Sequence, residues 1–171
     1  IIDNLAYFCS ILLRTPFSKE NGLIIPKDYV HKRYPKRILI HPSSGDERKN
    51  WTIQKYTLLA DKLKKIGADP IFILSEAERT KWEFLEQKNY NVEFFYTLKE
   101  CIKFIYESSN LIGNDSLCGH LASYLAIPTV IIASNKNNMK LWRPGFLTGK
   151  VLVPPSYIPN IKFWRLREEK W

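Results

Sequence analysis

Two stretches of this chain carry side chains whose types and spacing suit the handling of an anion. The first is Pro42-Ser43-Ser44-Gly45-Asp46-Glu47-Arg48-Lys49-Asn50, which offers two hydroxyls, a flexible Gly and two cations and ends at Trp51. Hydroxyls and exposed amides hold phosphate oxygens, and a cation can neutralise a departing diphosphate. The second is Gly113-Asn114-Asp115, a tight polar turn between a short buried strand, Leu111-Ile112, and a helix from Ser116 to about Ala126. The first N–H groups of a helix have no partner inside it and carry partial positive charge, so a strand, a turn and a helix start together make an anion seat. Asp115 either caps the helix or accepts a hydrogen bond from a ligand hydroxyl. Ser116 and His120 stand four apart and share one helix face. Leu117, Leu121 and Tyr124 or Leu125 form the neighbouring apolar stripe, which is expected to pack on a sheet. His120 then lies beside the turn but off that stripe, where it serves either as a structural residue or as a ligand to phosphate or ribose. Cys118 sits where thiolates are favoured, yet no base partner is identifiable, and it reads as a small packed thiol.

Composition narrows the chemistry. The three cysteines, Cys9, Cys101 and Cys118, form no CxxC pair, and the three histidines, His31, His41 and His120, have no metal-ligand spacing. The expectation is a reducing compartment, no zinc site and no metal. The loop lacks GxxxxGK[ST] and the chain lacks GxGxxG, so neither a Walker A nor a dinucleotide fingerprint is present. The net charge of +9 suits nucleic acid, an anionic membrane surface or a phosphorylated small molecule. It is scattered over Lys32–Arg37, Arg48–Lys49, Lys62–Lys65 and Arg165–Arg167 rather than gathered in one block, which reads mainly as solvated surface. No apolar run approaches the roughly eighteen residues of a membrane span, and Ile1 to Leu13 carries Asp3 and no basic start of a signal peptide. The single Met is Met139, so the 171-residue chain is expected to be a fragment or processed product.

The elements that must position these residues follow from periodicity. Leu5, Phe8, Cys9, Leu12 and Leu13 have helical spacing, and Thr15-Pro16 ends that helix. Residues 16–36 read as a connector with one short strand at Leu23–Ile25. Buried strands are expected at Ile38–Ile40, Ile71–Leu74, Val92–Phe95, Leu111-Ile112 and Thr129–Ile132, with a last one at Lys150–Val153. Helices are expected at Ile53–Ile66, with Thr52 as N-cap and Gly67 as stop, at Glu76 to about Lys88, and at Leu98–Ser108. Asn135–Leu141 is polar with helical potential, and Ile158–Trp171 is aromatic and basic. Short apolar strands alternating with amphipathic helices predict an α/β fold, a parallel sheet covered on both faces, with ligands bound at the carboxyl ends of the strands.

The combination of HPSSGDERKNW, Gly-Asn-Asp-Ser leading into His120-Leu121-Ala122, and IPTVIIAS resembles the donor half of the lipopolysaccharide heptosyltransferases, glycosyltransferase family 9. The likeness spans about Arg37 to Pro144. It implies the GT-B fold, two Rossmann-like domains facing across a cleft, with this chain as the C-terminal, nucleotide-sugar half. Residues 1–34 would then be the tail of the acceptor half plus a linker, 35–155 the donor domain, and 156–171 an aromatic and basic helix or tail. By the resemblance, Ser43 and Ser44 hold the diphosphate, and Lys49 is the cation that stabilises the leaving group. Asp115 binds sugar hydroxyls, Ser116, Leu117, Cys118 and His120 surround the diphosphate, and Glu78 receives the ribose. Leu117 departs from the family, which has Gly there. The implied reaction is metal-independent and inverting, without cofactor. Its donor would be ADP-heptose and its acceptor a lipopolysaccharide core sugar. The setting would be the cytoplasm, with peripheral contact to the inner membrane and no nucleic acid. A non-catalytic nucleotide-sugar-binding or scaffolding domain is the alternative.

Overall fold

The computed structural model describes residues 2–18, 22–134, 139, 143–145 and 149–155. Six strands form one wholly parallel sheet: β1 (Tyr34–His41), β2 (Asp69–Ser75), β3 (Val92–Phe95), β4 (Ser108–Asn114), β5 (Thr129–Ile132) and β6 (Gly149–Leu152). Their order is β3-β2-β1-β4-β5-β6. The chain winds outward from β1 to β3, then returns to the other side of β1 through β4. Strand order therefore reverses between β1 and β4, and the crevice outside their carboxyl ends is where such sheets take ligands.

Alternation along the central strands feeds two cores. Leu39, Ile71, Ile73 and Leu111 face α5 (Leu98–Tyr106) and α6 (Leu117–Tyr124), where Cys101, Ile105, Ala122 and Leu125 meet them. Ile40, Phe72 and Leu74 face the other way, onto Tyr56 and Ala60 of α2 (Ile53–Lys65) and onto Trp82 and Leu85. The buried face of α2 is made by Tyr56 and Ala60, with Ile53, Leu59 and Leu63 partly buried beside them. Its stop is equally local: Gly67 takes φ +80° and its N–H reaches the Lys64 carbonyl, while the Ala68 N–H reaches that of Leu63. Helix α5 begins with a reciprocal cap between Thr97 and Glu100.

Several expectations are corrected. Leu23–Ile25 forms no strand. Both flanks of β1 are already taken by β2 and β4, and only Ile25 of the three turns inward, against the first core. The helix expected from Glu76 to Lys88 is broken into a 3₁₀ turn (Glu76–Glu78), α3 (Arg79–Trp82) and α4 (Phe84–Gln87). There the Glu78 carboxylate folds back onto the Ser75 N–H and hydroxyl, and Trp82 and Leu85 are both driven into the sheet. Strand β4 is longer than Leu111-Ile112 and takes in Gly113 and Asn114, so the polar turn shrinks to Asp115 and Ser116. The apolar stripe of α6 holds at Leu121 and Leu125, which pack on the first core, but not at Leu117, 60% exposed, or Tyr124, 46% exposed; Gly119 and Ala122 are buried as well. The helix lies so close to β5 that a Cβ on Gly119 would run into the Ile131 side chain.

Helix α1 (Ile2–Leu13) exposes Leu5, Phe8, Ile11, Leu12 and Leu13. Among the described residues no helix is long and apolar enough to cross a membrane. The tail 156–171 and, apart from Met139, the segment Asn135–Leu141 lie outside the described residues.

Candidate functional site

Strand β1 ends at His41 and β4 at Asn114, and the two strands pair in register up to His41 and Gly113. Gly113 is required there: a Cβ would stand 2.7 Å from the His41 carbonyl oxygen. The loop after β1 and the turn after β4 therefore leave the sheet side by side. Between them lies a small depression lined by Ser44, Lys49, Asn114 and Asp115, with Ile132, Ala133, Ser134 and Met139 forming the rest of its wall.

The β1 loop is ordered by its own polar groups. The Ser44 hydroxyl bonds Asn50 Oδ1 and the Asp46 carbonyl. Asp46 caps the short turn Glu47–Lys49 by accepting from the Arg48 N–H, and its carboxylate also accepts from the Arg48 guanidinium at 2.9 and 3.1 Å. That hydrogen-bonded guanidinium holds the Asp46 carboxyl below its usual range. Arg48 is thus spoken for, whereas Lys49 Nζ stands 3.8 Å from Asp46 and its side chain borders the depression. Of the two cations, Lys49 is the one a ligand would meet.

The remaining site candidates are placed as follows. Ser43 is buried, and its hydroxyl hydrogen-bonds Glu78. Burial raises the Glu78 carboxyl, but hydrogen bonds from Ser75 and Ser43 outweigh it and leave the pKa below the ordinary value. Glu78 thus braces the ends of β1 and β2. Ser116, rather than Asp115, occupies the N-cap of α6, but its hydroxyl caps nothing and is buried without a hydrogen-bond partner. The first amides of α6 therefore have no side-chain cap. His120 is half-buried one turn further on. Leu117 opens the helix, largely exposed, and is not part of the lining. Cys118 faces the core, where it hydrogen-bonds Cys101. Of the expected residues, Ser44, Lys49 and Asp115 are brought together in the depression; Ser43, Glu78, Ser116, Leu117, Cys118 and His120 stand around it or behind it.

Two residues that matter here were not read as site residues from sequence. His41 is buried, and its Nδ1 lies 2.9 Å from the Ile73 carbonyl. Nδ1 must carry the proton to donate, and burial pulls the imidazole pKa down against the opposing pull of that bond and of Glu78. Asn114 is 1% exposed and bonds to both ends of the β1 loop. Its one sequence signal was its place between an apolar run and Asp115.

The parallel doubly wound sheet, with a cation, a hydroxyl and a carboxylate gathered at its switch point, defines a Rossmann-like α/β domain. The family model for glycosyltransferase family 9 (heptosyltransferase) matches residues 22–144, and the chain belongs to that family. A comparison with curated proteins finds no match. Among solved structures, the chain is similar to the ADP-heptose lipopolysaccharide heptosyltransferase II of E. coli (TM-score 0.61, 17% identity, 88% of this chain and 43% of that one). It is also similar to a family 9 glycosyltransferase of Veillonella parvula DSM 2008 (0.63, 14%, 98% and 44%) and to E. coli heptosyltransferase WaaC with ADP (0.64, 13%, 81% and 48%). These likenesses establish the GT-B-type α/β fold. The chain spans less than half the length of each of these structures.

Proposed function

We propose that this chain is the nucleotide-sugar-binding half of an inverting, metal-independent glycosyltransferase that uses ADP-heptose to extend a lipopolysaccharide core. One observation carries the reading. Ser44 and Lys49 from one loop and Asp115 from another converge on a single depression at the strand-order reversal. In this reading the diphosphate lies against Lys49, the Ser44 hydroxyl and the uncapped start of α6, while Asp115 accepts from sugar hydroxyls. An acceptor hydroxyl attacks the anomeric carbon as the bond to the diphosphate oxygen breaks. The acceptor's proton passes to a base in the other half of the enzyme, and Lys49 with the helix amides takes up the charge left on the diphosphate. Residues 1–34 belong to the acceptor half and its linker, so this chain alone binds donor without transferring sugar. The exposed apolar residues of α1 fit such a junction. The enzyme would act in the cytoplasm, at the inner membrane surface, and would not engage nucleic acid.

A second reading, a non-catalytic nucleotide-sugar-binding domain, draws on Leu117, which stands where the family has Gly. Titration of ADP into the chain, into Lys49→Ala and into His120→Ala tests the site assignment. The Lys49 variant is expected to bind about tenfold more weakly, in line with loss of a charge-assisted contact. Unchanged affinity in both variants would remove the assignment.

A further inference from the structure

The Asn114 carboxamide has an unusual set of partners. Its Oδ1 accepts from the Trp51 backbone N–H at 3.0 Å and from the Tyr56 hydroxyl at 2.9 Å. Its Nδ2 donates to the Pro42 carbonyl at 2.7 Å. The amide has one workable orientation. Flipped, its NH₂ would face the Trp51 N–H, which cannot accept, and its oxygen would face a carbonyl. Burial also pushes the Tyr56 phenol well above its usual pKa, so that partner stays a donor.

Pro42 and Trp51 are the two ends of the loop that carries Ser44 and Lys49, and Tyr56 lies in the first turn of α2. One side chain from β4 thus closes the loop at both ends. Trp51 adds an edge-on ring contact to Tyr56, 5.0 Å between centroids. The residue that follows β4 is Asp115, which also lines the depression. Asp in place of Asn114 would keep both acceptor bonds and lose the donation to Pro42. An apolar side chain would take the carboxamide away from the Trp51 N–H, the Tyr56 hydroxyl and the Pro42 carbonyl.

We infer that Asn114 is the positioning residue of this site: by tying both ends of the Pro42–Trp51 loop and the start of α2 to the end of β4, it fixes where Lys49 and Ser44 stand relative to Asp115. This rests on the depression being the diphosphate seat. The role differs from plain support of the fold, because it makes the contribution of Lys49 depend on Asn114.

The test is a double-mutant cycle on the full chain with ADP as the probe, using Asn114→Val, Lys49→Ala and the double variant. Lys49→Ala is expected to weaken ADP binding about tenfold in the parent and less than about twofold beside Asn114→Val, the non-additivity of residues that act as a unit. Effects that simply multiply would overturn the inference and leave Asn114 as fold support. If Asn114→Val does not fold, the same cycle is read with Asn114→Asp, which should give a partial version of the same coupling. If the parent chain binds no ADP, it is the diphosphate reading that fails. The positioning role is then decided by amide hydrogen exchange without ligand. Exchange across residues 43–51 should accelerate in the Asn114 variant while the β2 amides stay protected. Unchanged exchange in that loop would refute it.

Discussion

Replacing His41 with Asn should remove a pH dependence that the wild-type chain owes to one buried ring. His41 lies at the carboxyl end of β1, largely buried, with Nδ1 donating to the Ile73 carbonyl. Its pKa is lowered from 6.5, chiefly by burial. The folded chain therefore resists taking up a proton that the unfolded chain accepts readily. Stability is full above the unfolded pKa and is lost as pH falls from about 6.5 toward the lower folded value. The difference of one bound proton between the two states limits the slope to about 1.4 kcal/mol per pH unit, or about 3–6 °C in Tm for a chain of this size. Asn keeps an amide donor near the place of Nδ1 and does not titrate. Urea unfolding of both proteins from about pH 7.5 to 5.5 isolates the effect as a difference between two slopes. Parallel curves, or an NMR titration that puts the His41 ring at its ordinary value in the folded chain, would refute the argument.

Gly119→Ala should cost about 1–3 kcal/mol in chemical unfolding, because the new methyl meets Ile131 and forces α6 away from β5; a loss under about half a kcal/mol would mean the helix packs less closely than described. Leu117→Gly should change ADP affinity by less than about threefold and stability by no more than about 1 kcal/mol, since the side chain is 60% exposed and lies outside the lining of the depression. A large gain in ADP affinity would show instead that Leu117 obstructs the site. Ala126 ends α6 in the left-handed region at φ +57°, so Ala126→Gly should raise Tm, by up to about 1 kcal/mol of stability.

Much of the fold was legible because it is built from local patterns. Ile38–Ile40, Ile71–Leu74 and Thr129–Ile132 are short apolar runs that suit strands buried on both faces, and Tyr56 with Ala60 marks the buried face of α2. What could not be read depends on neighbours. Leu23–Ile25 looks like a strand, but both sides of the neighbouring β1 are already paired with β2 and β4. Leu117 and Tyr124 look like a core stripe, yet α6 approaches β5 through Gly119 and Ala122, and small residues at a close contact carry no hydrophobic signal. In the candidate site, the residue types in the two loops raised the expectation of an anion. Their convergence rests on the reversal of strand order between β1 and β4. Asn114 was hidden for the same reason: a polar residue beside Asp115 reads as part of a turn until its partners, more than fifty positions away in sequence, are known.

The most direct test of the central claim is calorimetric titration of this chain with ADP-heptose, run beside UDP- and GDP-sugars and repeated with a metal chelator. The account predicts saturable one-to-one binding of the ADP-sugar, unaffected by the chelator and weakened by Lys49→Ala. An absence of binding to any of the nucleotide sugars, together with salt-sensitive binding to RNA, would contradict it.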